Sequence, residues 1–210
     1  MRLDLTPKSL LTAYANGIFP MADEDGEILW LTPDRRAILE LDAFKIPRSL
    51  RAVLRRGRFT VTVNRAFAEV IAGCADRPDG TWISPAIHKA YTKLYRLGFA
   101  HSVEAWQEDT LAGGLYGVAI GGAFFGESMF HRVPEASKVA LVCLVERLRR
   151  RGFRLLDVQF QNPHLRRFGA VEIPRRDYER RLRDAIGRSC EFVDDASTTE
   201  EDLVKTSSSR

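Results

Sequence analysis

Along the 210-residue chain, apolar residues recur either at every second position, as in a strand, or at every third or fourth position, as in a helix. Residues 153–160 show the strand spacing most clearly. Successive side chains of a strand alternate between its faces, so Asp157 and Gln159 share a face with Phe153 and Leu155. A carboxylate and an amide side by side on an apolar strand are unfavourable unless polar groups meet them. Those groups are either backbone atoms of the protein or a bound substrate, and the pattern leaves both interpretations open.

The other apolar patterns predict helices and further strands in alternation. The helices are predicted to begin at or near Thr6, Pro47, Asn64, Ser84, residue 137 and Pro174. The further strands are predicted at 59–63, 101–106, 111–118 and 123–130, and the second and third form a hairpin. This order predicts a mixed α+β fold. We expect a small basic N-terminal domain at 1–60, a catalytic domain at 61–188 and a disordered acidic tail at 189–210.

Composition restricts the class of protein. Hydrophobic residues make up 45% of the chain, which is enough for a folded core. No apolar run reaches the roughly 18 residues of a membrane span, and the first residues lack the apolar run of a secretory signal. The three cysteines form no CxxC pair, and no histidine lies at zinc-finger spacing from them. We therefore expect a cytoplasmic protein without a metal site or membrane contact.

Charge is unevenly distributed along the chain. The net charge is +4. From Cys190 onward the sequence contains six acidic and two basic residues, so the tail carries −4 and the rest of the chain +8. The helix after Pro47 places four arginines on one face: Arg48, Arg51, Arg55 and Arg56. Such a face is either solvated or binds an anion. Because only two acids accompany nine basic residues between Arg35 and Arg65, we favour contact with nucleic-acid phosphates.

Short motifs in a fixed order carry a resemblance to a known family. They include YANGIFP at 14–20, GTWI at 80–83, GGLYG at 113–117, FGESMF at 125–130, ASK at 136–138 and DVQ at 157–159. Over about residues 8–182 this order resembles the leucyl/phenylalanyl-tRNA–protein transferases. The resemblance implies a fold similar to the GCN5-related acetyltransferases, with a small N-terminal domain before it. Met21, Leu31 and Arg35 depart from the family pattern near the expected binding site of the tRNA end.

The resemblance also implies an activity. Members of the family transfer leucine or phenylalanine, and sometimes methionine, from its tRNA to the α-amino group of a protein that begins with Arg or Lys. The product carries a degradation signal, an N-degron, which a protease adaptor reads. No metal or organic cofactor is implied, and we expect a monomer.

Roles for individual residues follow from the same resemblance. Asp157 and Gln159 are expected to be catalytic, because the Gln159 carbonyl oxygen would hold the attacking amine and Asp157 would orient Gln159. Trp82 is expected to stack on the terminal adenine of the tRNA. The arginines of the basic helix would hold acceptor-stem phosphates. The transferred side chain needs an apolar pocket with few polar anchors, for which the resemblance suggests Leu115, Phe124, Met129, Leu144 and Leu156, with Glu127 as the polar anchor. On sequence grounds alone, an apolar residue of this kind is more often an ordinary core residue, whereas Trp82 is equally consistent with a buried structural role.

Two other functions compete with this prediction. An acetyl-CoA-dependent N-acetyltransferase needs glycine-rich backbone where a strand meets the helix that binds pyrophosphate. The corresponding junction, residues 131–136, contains no glycine and includes Pro134, which argues against this function. A non-catalytic tRNA-binding module would suit the basic helix but would not need Asp157 and Gln159 together.

Overall fold

The computed structural model describes residues 4–23, 25–78 and 80–193. Within these ranges seven helices and nine strands alternate along the chain. The helices are α1 (Pro7–Ala15), α2 (Arg48–Arg55), α3 (Phe67–Ala75), α4 (Pro85–Arg96), α5 (Ala136–Arg150), α6 (Pro163–Arg166) and α7 (Arg175–Ile186). The strands are β1 (Phe19–Ala22), β2 (Ile28–Leu31), β3 (Arg35–Leu39), β4 (Thr60–Val63), β5 (Ala100–Gln107), β6 (Thr110–Ile120), β7 (Ala123–His131), β8 (Leu155–Gln159) and β9 (Ala170–Pro174).

Seven strands form one mixed sheet with helices on both sides. The strand order is β4-β5-β6-β7-β8-β3-β9, whereas β1 and β2 form a separate hairpin. Only β7 and β8 run parallel among the neighbouring strands described. We call the side of the sheet to which Leu155 points face 1; with Tyr91 of α4 it belongs to a cluster that includes side chains of α1, α3, α4 and α7. We call the opposite side, to which Leu156 points, face 2; with Leu144 of α5 it belongs to a cluster that includes side chains of α2, α5 and α6. The predicted α+β class and mixed sheet are confirmed.

Two of the predicted helix caps are confirmed and one is wrong. The side-chain oxygens of Thr6 and Ser84 accept backbone N–H bonds from the first turns of α1 and α4. Asn64 does not cap α3, which begins three residues later at Phe67. The Asn64 side chain instead accepts the backbone N–H of Ser102 (3.0 Å), so it ties the end of β4 to β5.

One strand of the predicted N-terminal domain lies in the main sheet. Strand β3 is antiparallel to both β8 and β9. Ala37, for example, is paired with Gln159 on one side and Glu172 on the other, more than 100 residues away along the chain. Among the described residues before β3, α1 and the β1–β2 hairpin lie outside this sheet. The domain boundary at residue 60 stays a prediction.

Part of the predicted tail packs against the folded chain. Phe192 is only 3% exposed and stacks on Phe124 with ring centroids 5.1 Å apart. Its backbone oxygen also accepts a hydrogen bond from Arg147 (2.7 Å). Phe192 and the half-buried Cys190 thus belong to the face 2 cluster, and residues 194–210 of the predicted tail lie outside the described residues.

Candidate active site

The two parallel strands of the sheet separate at the end where the candidate site lies. Residues 123–125 of β7 pair with residues 155–157 of β8, after which β7 continues to His131 beside β6 alone. We call the gap in the strand pairing beyond Phe125 and Asp157, toward the carboxyl ends of both strands, the opening. Glu127 and Gln159 face each other across it, and Gln159 Nε2 donates a hydrogen bond to Glu127 Oε2 (3.1 Å).

A β-bulge sets the direction of the Glu127 side chain. In the β6–β7 pairing Gly117 is opposite Gly126 and Tyr116 is opposite Ser128, so Glu127 is the extra residue. The backbones approach closely here, since a Cβ on Gly117 would lie 2.3 Å from a backbone oxygen of β7. The bulge places Glu127 among the face 1 side chains.

Glu127 is held in place by two buried tyrosines. The Tyr14 hydroxyl donates to Glu127 Oε1 (2.7 Å), and the Tyr91 hydroxyl donates to Oε2 (3.2 Å). The two tyrosine hydroxyls also lie within hydrogen-bond distance of each other, and since each O–H carries a single proton, all three contacts are hydrogen bonds together only when Glu127 itself is protonated. Burial disfavours the carboxylate and raises the pKa of Glu127 to about 7, although the bonds from Tyr14, Gln159 and Tyr91 partly oppose this shift.

The pKa of Glu127 predicts a pH-dependent contribution to stability. Because the folded pKa of about 7 exceeds the ordinary 4.5, the folded state holds the proton more tightly. The contribution is therefore fully present below about pH 4.5 and is lost as the pH rises through about 7. Burial lowers the pKa of His101 from 6.5 to about 4, so its contribution to stability is instead lost as the pH falls from about 6.5 through 4. We expect the free energy of unfolding of wild type, relative to Glu127→Gln, to fall between about pH 5 and pH 7.5 in urea titrations. A difference that stays constant across this range would contradict the assignment.

Asp157 has every strong hydrogen-bonding position on its carboxylate filled. Its Oδ1 accepts from Arg36 Nε (2.9 Å) and from the backbone N–H of Gln159 (2.8 Å). Its Oδ2 accepts from Arg36 Nη2 (2.7 Å) and from the Tyr178 hydroxyl (2.7 Å). Asp157 is 0% exposed and Arg36 is 1% exposed. With these partners Asp157 is suited to positioning Gln159 and poorly placed to accept a proton from a substrate.

Gln159 is fixed at both its backbone and its side chain. Its φ of 63° lies in the left-handed region, which few residues other than glycine adopt. The N–H bond to Asp157 holds this backbone, and the bond to Glu127 fixes the amide nitrogen. Within the described residues no group donates a hydrogen bond to Gln159 Oε1, so this carbonyl oxygen can still accept one. A positioned oxygen of this kind can accept a hydrogen bond from an amine that enters the opening.

Comparison with known families shows where the chain belongs. The family model "Leucyl/phenylalanyl-tRNA protein transferase" matches residues 38–183, and the model of that family's N-terminal domain matches residues 3–34. The chain belongs to the leucyl/phenylalanyl-tRNA–protein transferase family. The boundary between the two models falls close to β3, in agreement with the position of that strand in the main sheet.

Individual relatives of the leucyl/phenylalanyl-tRNA–protein transferase family agree with this assignment. The protein of that name from Salinibacter ruber is 59% identical over 184 residues, which cover 87% of this chain and 81% of the relative. The one from Gloeobacter violaceus is 54% identical over 193 residues, or 91% of this chain and 100% of the relative. Among solved structures, L-PGS from Bacillus licheniformis matches with a TM-score of 0.43 and 16% identity, covering 75% of this chain and 52% of that one.

The structure brings together the apolar residues that the family resemblance suggested for the aminoacyl pocket, but separates them from Glu127. All five lie in or against the face 2 cluster: Leu115, Phe124, Met129, Leu144 and Leu156. Four of them expose no more than 4% of their surface, and only Met129 is half-buried. The tyrosine partners of Glu127, the polar anchor suggested for this pocket, belong to the cluster on face 1. The role of Glu127 as that anchor stays a prediction.

The residues expected to contact tRNA flank the sheet. Trp82 is half-buried against face 1, beside the β1–β2 hairpin, and its backbone oxygen accepts the N–H of Ala22 (3.4 Å). The three arginines of α2 and Arg56, directly after it, are all exposed on the side of face 2. Arg51 donates to a backbone oxygen of the preceding loop (3.2 Å). Arg48, Arg55 and Arg56 form no ion pair with any part of the chain that the structure describes.

Four residues of the site were missed at the level of sequence: Tyr14, Arg36, Tyr91 and Tyr178. The tyrosines occupy apolar stripes of their helices, which made them core residues by pattern. Arg36 stands in a basic stretch, and the only available signal was the need of a buried Asp157 for a cation.

No membrane-spanning helix and no metal cluster is found among the residues described. None of the helices in ranges 4–23, 25–78 and 80–193 is long and apolar enough to cross a bilayer. The same ranges hold no group of three or more His, Cys, Asp or Glu side chains arranged for a metal ion.

Proposed function

We propose that the protein transfers leucine or phenylalanine, with methionine as a further donor residue, from aminoacyl-tRNA to the α-amino group of proteins that begin with Arg or Lys. The product is an N-degron that directs proteolysis. One observation carries the proposal: in a chain of this family, the Gln159 amide is fixed at the opening between β7 and β8 with its carbonyl oxygen free.

The chemistry asks for alignment more than for a strong base. An aminoacyl ester is already activated, and correct placement of the two reactants can contribute about 7–11 kcal/mol. The acceptor amine attacks the ester carbonyl, so a C–N bond forms and the bond to the ribose oxygen breaks. The proton lost by the amine goes to that leaving oxygen, directly or through water. Gln159 Oε1 would hold the amine during this step, and Asp157 would act only through the Gln159 backbone.

The opening between β7 and β8 supports a placement of the donor. It joins face 1, where Trp82 lies, to face 2, where the apolar residues and Met129 lie. We place the terminal adenine near Trp82 and the aminoacyl side chain toward Met129, with the ester between them at Gln159. A pair of parallel strands diverging between antiparallel neighbours also supports the acetyltransferase-like fold implied by the resemblance.

We propose that the protein binds aminoacyl-tRNA in the cytoplasm, where charged tRNA is made, and that it acts as a monomer. Light scattering of the purified protein tests the second part, and a stable dimer would contradict it.

The arginines of α2 provide a second test of the tRNA contact. The double change Arg48→Ala and Arg55→Ala is expected to weaken tRNA binding and to flatten its salt dependence by about 0.7–0.9 in log–log slope for each phosphate that the protein no longer neutralises. Fluorescence anisotropy of labelled tRNA over a range of salt concentrations measures both. Arg176→Ala on α7 is the matched control, since Arg176 is exposed on the side of face 1. An unchanged slope would make α2 an ordinary solvated surface.

The donor experiment separates the proposal from its rivals. Radiolabelled Leu-tRNA, Phe-tRNA and acetyl-CoA are each incubated with the protein and an acceptor that begins with Arg. We expect label to move from both tRNAs and not from acetyl-CoA. Acetylation of the acceptor without aminoacyl transfer would favour the acetyltransferase, and tRNA binding without any transfer would favour the binding module.

A further inference from the structure

A small cleft on the side of face 2 lies between α2, α5 and α6. Its polar lining comes from all three elements: Ser49 from α2, Lys138 from α5, His164 from α6 and Arg167 directly after α6. The remaining lining residues are Pro47, Leu50, Glu135 and Phe168. Glu135 is the only acid among these lining residues, and its carboxylate pairs with the Lys138 ammonium (2.5 Å).

Positive charge dominates this cleft. Arg167 is exposed and forms no ion pair with the residues that the structure describes. Burial lowers the pKa of His164, and the positive charges of Lys138, Arg167 and His131 lower it further. Because several cations surround His164, protonation of its imidazole is unfavourable, whereas binding of an anion in the cleft is favourable.

His164 adds an unused hydrogen-bonding atom. Its Nε2 is buried and has no hydrogen-bond partner within ranges 4–23, 25–78 and 80–193. Buried polar atoms without partners are uncommon in folded proteins, and a neutral imidazole can donate one N–H. Together with the Ser49 hydroxyl, the Lys138 ammonium and the Arg167 guanidinium, it offers the donors that recognise a phosphate group.

The cleft is linked along the chain to both the candidate active site and the basic helix α2. His164 follows Gln159 by only five residues, across the turn from β8 into α6. Ser49, on the opposite side of the cleft, is next to Arg48 at the start of α2. We propose that this cleft binds one backbone phosphate of the tRNA strand, between the aminoacylated end at Gln159 and the phosphates that contact α2. The inference rests on the proposed function, because it takes the donor to be a tRNA.

Two donors that differ in their phosphates test the cleft. Leu-tRNA carries the phosphate that would occupy it, whereas 3′-O-leucyl-adenosine carries none. For Arg167→Ala and for Lys138→Ala we expect the KM for Leu-tRNA to rise about 3- to 10-fold and the salt slope of tRNA binding to flatten by about 0.7–0.9. Transfer from leucyl-adenosine should stay at the wild-type rate. His164→Gln keeps a side-chain N–H donor and should bind tRNA more tightly than His164→Ala.

The outcomes separate the cleft from the proposed function. Arg176→Ala serves again as the control and should change neither the KM nor the slope. An unchanged KM and slope in Arg167→Ala and Lys138→Ala would overturn the cleft assignment while leaving the transferase intact. An equal loss with leucyl-adenosine would also overturn it, since the residues would then act through the fold. If wild type transfers from neither donor, the proposed function fails, and the salt slope of tRNA binding still decides whether the cleft contacts a phosphate.

Discussion

Replacing Gln159 with alanine should lower kcat for aminoacyl transfer by about 100-fold or more, while the affinity for Leu-tRNA stays unchanged. The amide is the group that the structure fixes at the opening, through Asp157 at its backbone and Glu127 at its nitrogen. Without the carbonyl oxygen, the attacking amine loses its hydrogen-bond acceptor and its alignment with the ester. Single-turnover rates with saturating Leu-tRNA, together with anisotropy for binding, measure the two quantities separately.

Two further variants make this experiment specific. Gln161→Ala removes a neighbouring amide that bonds a backbone oxygen of β9 (2.7 Å), outside the opening, and should retain nearly full activity. Gln159→Asn tolerates the left-handed backbone well but is one carbon shorter, so it should fail almost as badly as alanine. Loss of tRNA affinity in Gln159→Ala, or full activity in Gln159→Asn, would remove the role assigned to the amide.

The second large effect concerns the buried pair of Arg36 and Asp157. Arg36→Met should destabilise the protein by about 3–5 kcal/mol, because it leaves the Asp157 carboxylate buried without its cation. For a chain of this length that corresponds to a fall in Tm of about 6–20 °C. Thermal and urea unfolding followed by circular dichroism measure the change.

Neighbouring residues provide the controls for that experiment. Arg35→Met removes the adjacent arginine, whose contact with Glu172 is exposed (59% and 40%), and should cost less than about 1 kcal/mol. Tyr178→Phe removes one hydrogen bond to the buried Asp157 carboxylate and should cost about 1.5–3 kcal/mol, less than loss of the cation. Equal effects of Arg35→Met and Arg36→Met would show that burial of the pair is not what matters.

Most elements of the fold followed from local sequence patterns, whereas their arrangement did not. The apolar stripe of α5 and the alternation in β5, β6 and β7 are properties of neighbouring residues, so their spans agree with the predictions to within a few residues. Strand β3 was missed because its five residues begin with two arginines and lie in a basic stretch. Its burial depends on pairing with β8 and β9, more than 100 residues away.

The candidate site shows the same division. Asp157 and Gln159 could be singled out because polar groups on an apolar strand need partners. The identity of those partners, Arg36 and Tyr178, depends on β3 and α7 meeting β8 in space. The position of Glu127 has a local cause that the sequence did not reveal. The bulge at Glu127 brings Phe124 and Met129, five residues apart, toward the same face and leaves Glu127 on the other.

The proposed reaction forms a peptide bond between a leucyl group from tRNA and the α-amino group of an acceptor. Tandem mass spectrometry of an acceptor peptide that begins with Arg, after incubation with Leu-tRNA, detects this bond. We expect a gain of one leucyl residue on the N-terminal nitrogen with wild type, and almost none with Gln159→Ala. An unmodified peptide, or leucine attached to a side chain, would contradict it.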